Sequence, residues 1–178
     1  MFKHQYHPDH EYLPPDDIQP DGSPVWVFVF PSTFGGQHLT DHVLAKAAYT
    51  YYAATLGSAH GRQGRSYAIM TYTTPSPESE PASLTQIQTA VGKFFQYAEH
   101  RKQAGEQFWI PNLMLAPIAF SQLSSLFRHR QAPSNVSFPE SWKYQLEAPA
   151  DILSDYVVHA YHATTHVVRT GQHTDICL

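Results

Sequence analysis

The segment that most limits what this chain can fold into is the run at residues 24–30, Pro-Val-Trp-Val-Phe-Val-Phe. Apolar, β-prone side chains that do not alternate with polar ones leave a strand apolar on both faces. Such a strand belongs in a sheet covered on both sides, which means a sheet sandwiched by helices.

The rest of the chain supplies the helices. Residues 40–55 carry Val43, Ala47 and Tyr51 on one stripe with Leu44, Ala48 and Tyr52 beside it, which predicts a helix capped by Thr40 or Asp41 and stopped by Gly57. Residues 66–73 predict a second strand. Residues 83–101 give the clearest helix, with Leu84, Ile87, Val91, Phe94 and Ala98 at three- and four-residue steps. Residues 108–115 predict a third strand interrupted by Pro111, residues 119–127 a short helix, and residues 135–138 a short strand. A last helix is expected over 149–161. Strands alternating with helices predict an α/β fold of three layers, with a mostly parallel sheet flanked by helices. The expected organisation is an irregular N-terminal arm over 1–23, a core domain over 24–142, and a C-terminal extension over 143–178. The extension is expected to pack on the core or at a subunit interface.

Composition narrows the function. The net charge is -4 with neutral histidines, which argues against broad nucleic-acid binding, because that needs a basic face. A single cysteine, Cys177, rules out an internal disulfide framework. No apolar run approaches the roughly 20 residues of a membrane span, and the N-terminus has no apolar signal core. A cytoplasmic protein is expected, in the host cytoplasm if it is phage-encoded. Only 15% of residues are charged, so self-association is expected, as a dimer.

Ligands of such sheets bind beyond the carboxyl ends of the strands. That rule selects the loop at residues 31–38. Ser32, Thr33, Gly35, Gly36 and His38 lie there, with Asp41 just beyond. The Gly-Gly pair lets backbone N–H groups approach a ligand, and the following helix start adds partial positive charge, a combination suited to a phosphate or diphosphate. It equally suits a loop that needs glycine only to turn. A second candidate is His60-Gly61-Arg62-Gln63-Gly64-Arg65, where Arg62 and Arg65 are able to hold an anion. This loop precedes its strand, so it is expected at the other end of the sheet. His4, His7 and His10, and His159, His162 and His166, have spacings that invite a metal reading. Packing or surface roles account for them better, so no metal and no cofactor is assigned. No nucleophile elbow, phosphate-binding Walker loop or zinc-protease pattern is present.

Several blocks together carry a resemblance: residues 12–18 with the strand at 27–30; Ser32, Gly36 and His38; Gly61-x-x-Gly64-x-Ser66-Tyr67-Ala68-Ile69-x-Thr71; and Asn135-Val136-x-x-Pro139-x-x-Trp142. The chain resembles, over roughly Tyr12 to Trp142, a family of small phage-associated and bacterial proteins with a macro-domain-like layout. The resemblance implies a site where one glycine loop follows an early strand and another a late strand, both wrapping the diphosphate of ADP-ribose or a related nucleotide. This chain departs from that family where Leu39 and Asp41 replace glycines, and where Leu113-Met114-Leu115-Ala116-Pro117 lacks the late glycines. Met70 stands where the family usually carries proline. The expected function is binding of a nucleotide-derived small molecule, ADP-ribose-like or a cyclic nucleotide signal, by sequestering or sensing it without turnover. Two alternatives are a hydrolase acting on such a ligand through His38 or Asp41, and an interaction module that has lost the pocket.

Overall fold

The structure, a computed structural model, describes residues 4–9, 26–40, 42–74, 80–112, 126 and 131–147. Among these, β1 (Gln5–His7), β2 (Trp26–Thr33), α1 (Val43–Tyr52), β3 (Gly61–Gln63), β4 (Ser66–Tyr72), α2 (Leu84–Arg101), β5 (Gln107–Trp109), β6 (Val136–Pro139) and α3 (Lys143–Glu147) follow in chain order. The strands form one six-stranded sheet in the order β1-β6-β5-β2-β4-β3, parallel except for the β3–β4 hairpin. The fold is the three-layer α/β arrangement expected.

β2 shows why both faces had to be covered. Val27 and Val29 point to one side, into a core built with Ile87, Val91 and Phe94 of α2. Phe28 and Phe30 point to the other, against Leu44, Ala45 and Ala48 of α1. All four β2 side chains are fully buried, and each contributes about 1.5–3 kcal/mol by leaving water.

The loop expected at 60–65 instead forms the β3–β4 hairpin, and four details of the arm, β2 and α1 also differ from the sequence reading. The arm at 1–23 was expected to be irregular, yet Gln5–His7 is an edge strand parallel to β6. Its three residues are too few to show a period. β2 does not break at Pro31 but runs on through Ser32 and Thr33. Phe28 donates to Arg65 O on the β4 side, so alternation turns residues 29 and 31 toward β5. Pairing with β5 ends at Phe28 and Trp109, so the missing N–H of Pro31 removes no ladder bond. α1 is capped by His42 and not by Thr40 or Asp41: the His42 ring accepts from Leu44 N–H at 3.3 Å. Burial holds the His42 pKa below its ordinary value, which keeps that ring nitrogen free to accept. Finally, α1 ends at Ala53 in the left-handed region (φ 55°), four residues before Gly57. The β3–β4 hairpin is responsible, since Arg65 N–H takes the carbonyl of Tyr52 at 2.9 Å.

α2 follows its pattern closely. Ser83 and Gln86 form a reciprocal capping box at its start, and His100 and Arg101 sit in its last turn. Leu126, Trp142 and Leu146 join the core on the α2 side. The expected helix at 119–127, apart from Leu126, lies outside the described residues, as do residues 113–117 and the expected helix at 149–161. No helix among the described residues is long and apolar enough to cross a membrane.

Candidate functional site: a cleft at the outer edge of β4

The loop after β2 is a folded unit whose polar atoms are largely used internally. Ser32 and Thr33 are buried in the last turn of the strand, and the Ser32 hydroxyl donates to Ala59 O. Gly36 has φ 59°, donates to Thr33 O at 3.0 Å, and accepts from Gly57 N–H at 3.0 Å. A Cβ on Gly36 would lie 2.6 Å from Ser58 N. The glycine is therefore needed for close approach to the segment at 57–61. Gly35 is exposed. His38 is fully buried, edge-on to Phe30, with Nε2 3.3 Å from Gln63 Oε1. Gln63 Oε1 also accepts from Thr55 N–H at 2.8 Å while its Nε2 donates to Ser58 O at 2.8 Å. The His38 Nε2 therefore carries the proton, and His38 and Gln63 together brace residues 55–63. Asp41 lies outside the described residues.

That braced segment forms one wall of a cleft of about 650 Å³, within the roughly 300–1,000 Å³ range of small-molecule sites. Phe34, the tip of the β2 loop, lies at its lip and is 72% exposed. Ala59, Ala68 and Met70 give it an apolar back, and Tyr67 adds a phenol whose pKa burial pushes up to about 12. The facing wall is α2. Thr85, Thr89 and Lys93 recur every four residues, with Gln86 and Ala90 beside them, so the polar stripe runs about 12 Å along the helix. Part of that polarity is committed: Thr89 Oγ1 donates to Thr85 O, and Gln86 Oε1 accepts from Ser83. The Gln86 amide N–H group and the Lys93 ammonium have no partner among the described residues. Among the described residues no carboxylate lines the cleft, and Lys93 and His60 are its basic groups. Its electrostatics favour an anion.

The two arginines of the second sequence candidate are engaged at the other end of β4 and do not line this cleft. Arg62 lies 3.4 Å from Glu106, which also binds Arg101 at 2.9 Å. Burial lowers the Arg62 pKa and Glu106 partly restores it. Arg65 stands over the Tyr52 ring at 5.7 Å. From the same hairpin, His60 and Gly61 do reach the cleft, because β3 runs antiparallel to β4 and begins nearer its carboxyl end. The residues that sequence reasoning missed are Phe34, Met70 and the polar stripe of α2. One signal for the stripe was available: from Leu84 to Ala98 the only charged residue is Lys93.

His4 and His7, the described members of the two histidine sets, are placed by packing. His4 lies edge-on to Tyr6 and Phe138. His7 stacks on Trp109 at 3.7 Å and contacts Ser137 Oγ at 2.9 Å. This serine–histidine pair has the chemistry of a nucleophile and base, but His7 and Ser137 are 4% and 3% exposed, so no substrate reaches them. Among the described residues no group of three or more His, Cys, Asp or Glu is placed to hold a metal ion. The expected sets that include His10, and His159 to His166, fall outside them.

The site thus belongs to a three-layer α/β protein with a cleft of small-molecule size beside its sheet. Comparison of the chain with family models, curated proteins and solved structures gives no match.

Proposed function

We propose that this protein is a binding module for a nucleotide-derived small molecule, of the ADP-ribose or cyclic-nucleotide kind, held in the β4 cleft and not turned over. The observation that carries the reading is the cleft's charge: among the described residues it is lined by Lys93 and His60, no carboxylate, and an apolar back. A phosphate against Lys93 and a planar ring against the exposed face of Phe34 fit that distribution. A macro-domain-like layout is part of the proposal. In its support, β2 and β5 are parallel neighbours, so the loops that follow the early and the late strand leave the sheet at the same end. In a phage-type protein such binding serves to sequester or sense a host signal.

The hydrolase alternative relies on His38 or Asp41. Full burial of His38 against Gln63 favours binding over turnover. The dimer expected from the sequence remains part of the proposal, with Leu39, Val43 and Tyr51 as an exposed apolar stripe near α1, and native mass measurement checks it. Calorimetry with ADP-ribose, cyclic ADP-ribose isomers and cyclic oligonucleotides tests the function. At least one binds the wild type and binds Lys93→Ala and Phe34→Ala more weakly. If none binds, the reading is wrong.

A further inference from the structure

Among the described residues, the outer edge of β4 is covered by two short partners with a gap between them. β3 pairs with it as far as Ala68. The bridge of Tyr72 to Pro81 covers its far end, where Ala82 N–H donates to Thr71 O and Thr73 N–H to Glu80 O. On the inner side, Phe28 donates to Arg65 O, so residues 65, 67 and 69 direct their main-chain groups to β2. Strand alternation then turns those of 66, 68 and 70 outward. Ser66 and Ala68 meet Gln63 and Gly61 of β3. Met70 has no main-chain partner on that side among the described residues, and it lines the cleft.

We infer that Met70 is the specificity-determining position of the cleft: its outward main-chain N–H and C=O pair with the edge of a planar heterocycle that offers an adjacent acceptor and donor, as adenine does. In an extended residue these two groups point the same way, which matches the ring nitrogen and exocyclic amine of such a base. This inference rests on the cleft being the ligand site. It adds the chemical class recognised and the atoms that recognise it. A base seated there lies against the Met70 and Ala68 wall and leaves its phosphate to the α2 wall, where Lys93 stands. The Met70 N–H serves no ladder bond among the described residues, so proline at this position deletes the donor without opening the sheet.

The test uses adenosine 5′-monophosphate, its N6,N6-dimethyl analogue and ribose 5-phosphate, titrated by NMR into wild type, Met70→Pro and Lys93→Ala. In wild type, the monophosphate is expected to shift the Met70 amide resonance and slow its hydrogen exchange. Dimethylation and Met70→Pro are each expected to weaken binding of the monophosphate by up to about tenfold, the scale of one hydrogen bond. Ribose 5-phosphate should bind Met70→Pro as it binds wild type, and lose binding in Lys93→Ala. An unmoved Met70 amide, with the dimethyl analogue binding as well as its parent, overturns the inference and leaves the cleft reading intact. Binding of neither phosphate by the wild type overturns the cleft reading, and this inference with it. The wild-type measurements decide the matter even if Met70→Pro does not fold.

Discussion

At the hairpin end of β4, Arg62 and Arg101 share Glu106, and Arg65 lies on the Tyr52 ring. At the other end, Lys93 and Gln86 face an apolar back with no acid opposite them among the described residues. The first end has more cationic side chains and the richer anion-binding motif on paper. It is nevertheless the closed end, because Arg62 and Arg101 already share an acid and Arg65 is packed on an aromatic ring. Cations alone did not distinguish the two ends. What did was whether the structure already supplies their counter-charge.

Five substitutions, one of them read by pH titration, separate stability from binding along this line. The largest effect is expected from Glu106→Ala, which strands Arg62 half-buried and should lower unfolding free energy by about 3 kcal/mol. Urea denaturation measures it, and ADP-ribose affinity should not change. Gly64→Ala comes next at about 2 kcal/mol, since Gly64 has φ 51° and its Cβ would lie 2.5 Å from that of Ala53. Thermal unfolding is the readout. A graded effect follows from His7, whose pKa burial depresses to about 4, with Asp9 and a backbone contact at Ile110 opposing. Between about pH 6.5 and 4 the unfolded chain takes up a proton that the folded chain refuses, so this residue's share of stability falls as pH drops through that window. His7→Phe should flatten that part of the stability–pH curve. Lys93→Ala inverts the pattern of Glu106→Ala: stability should stay within about 0.5 kcal/mol while ADP-ribose affinity drops about tenfold. Equal ADP-ribose binding by Lys93→Ala would break the comparison. The smallest effect is a gain: Ala53→Gly relieves a left-handed alanine and should add about 0.5 kcal/mol.

The sheet and its two covering layers were legible because β2 is apolar on both faces and α2 repeats at helical spacing over five turns. β1 and β3 were not, since Gln5-Tyr6-His7 and Gly61-Arg62-Gln63 are short and polar and become strands only through their partners. The site was half legible. The rule of the carboxyl ends pointed to the loop after β2, and that loop does supply Phe34. Yet Ser32, Gly36 and His38, the residues that stood out in sequence, brace the loop on residues 57–63. The opposite wall was hidden because Thr85, Gln86, Thr89 and Lys93 look like the solvent side of an amphipathic helix. Only the tertiary fold shows that a neighbouring loop faces them.

The gap at Met70 has a consequence for the life of the chain in a crowded solution. Unpaired strand edges invite other chains to add to the sheet and start aggregates. Here β3 closes one side of the opening and the Pro81 bridge the other, so among the described residues too little of this edge is bare for a foreign strand to dock in register. A small planar molecule needs only one residue's pair of hydrogen bonds. Under the binding inferred at Met70, the two flanking partners act as a size filter, admitting a small guest while refusing a polymer.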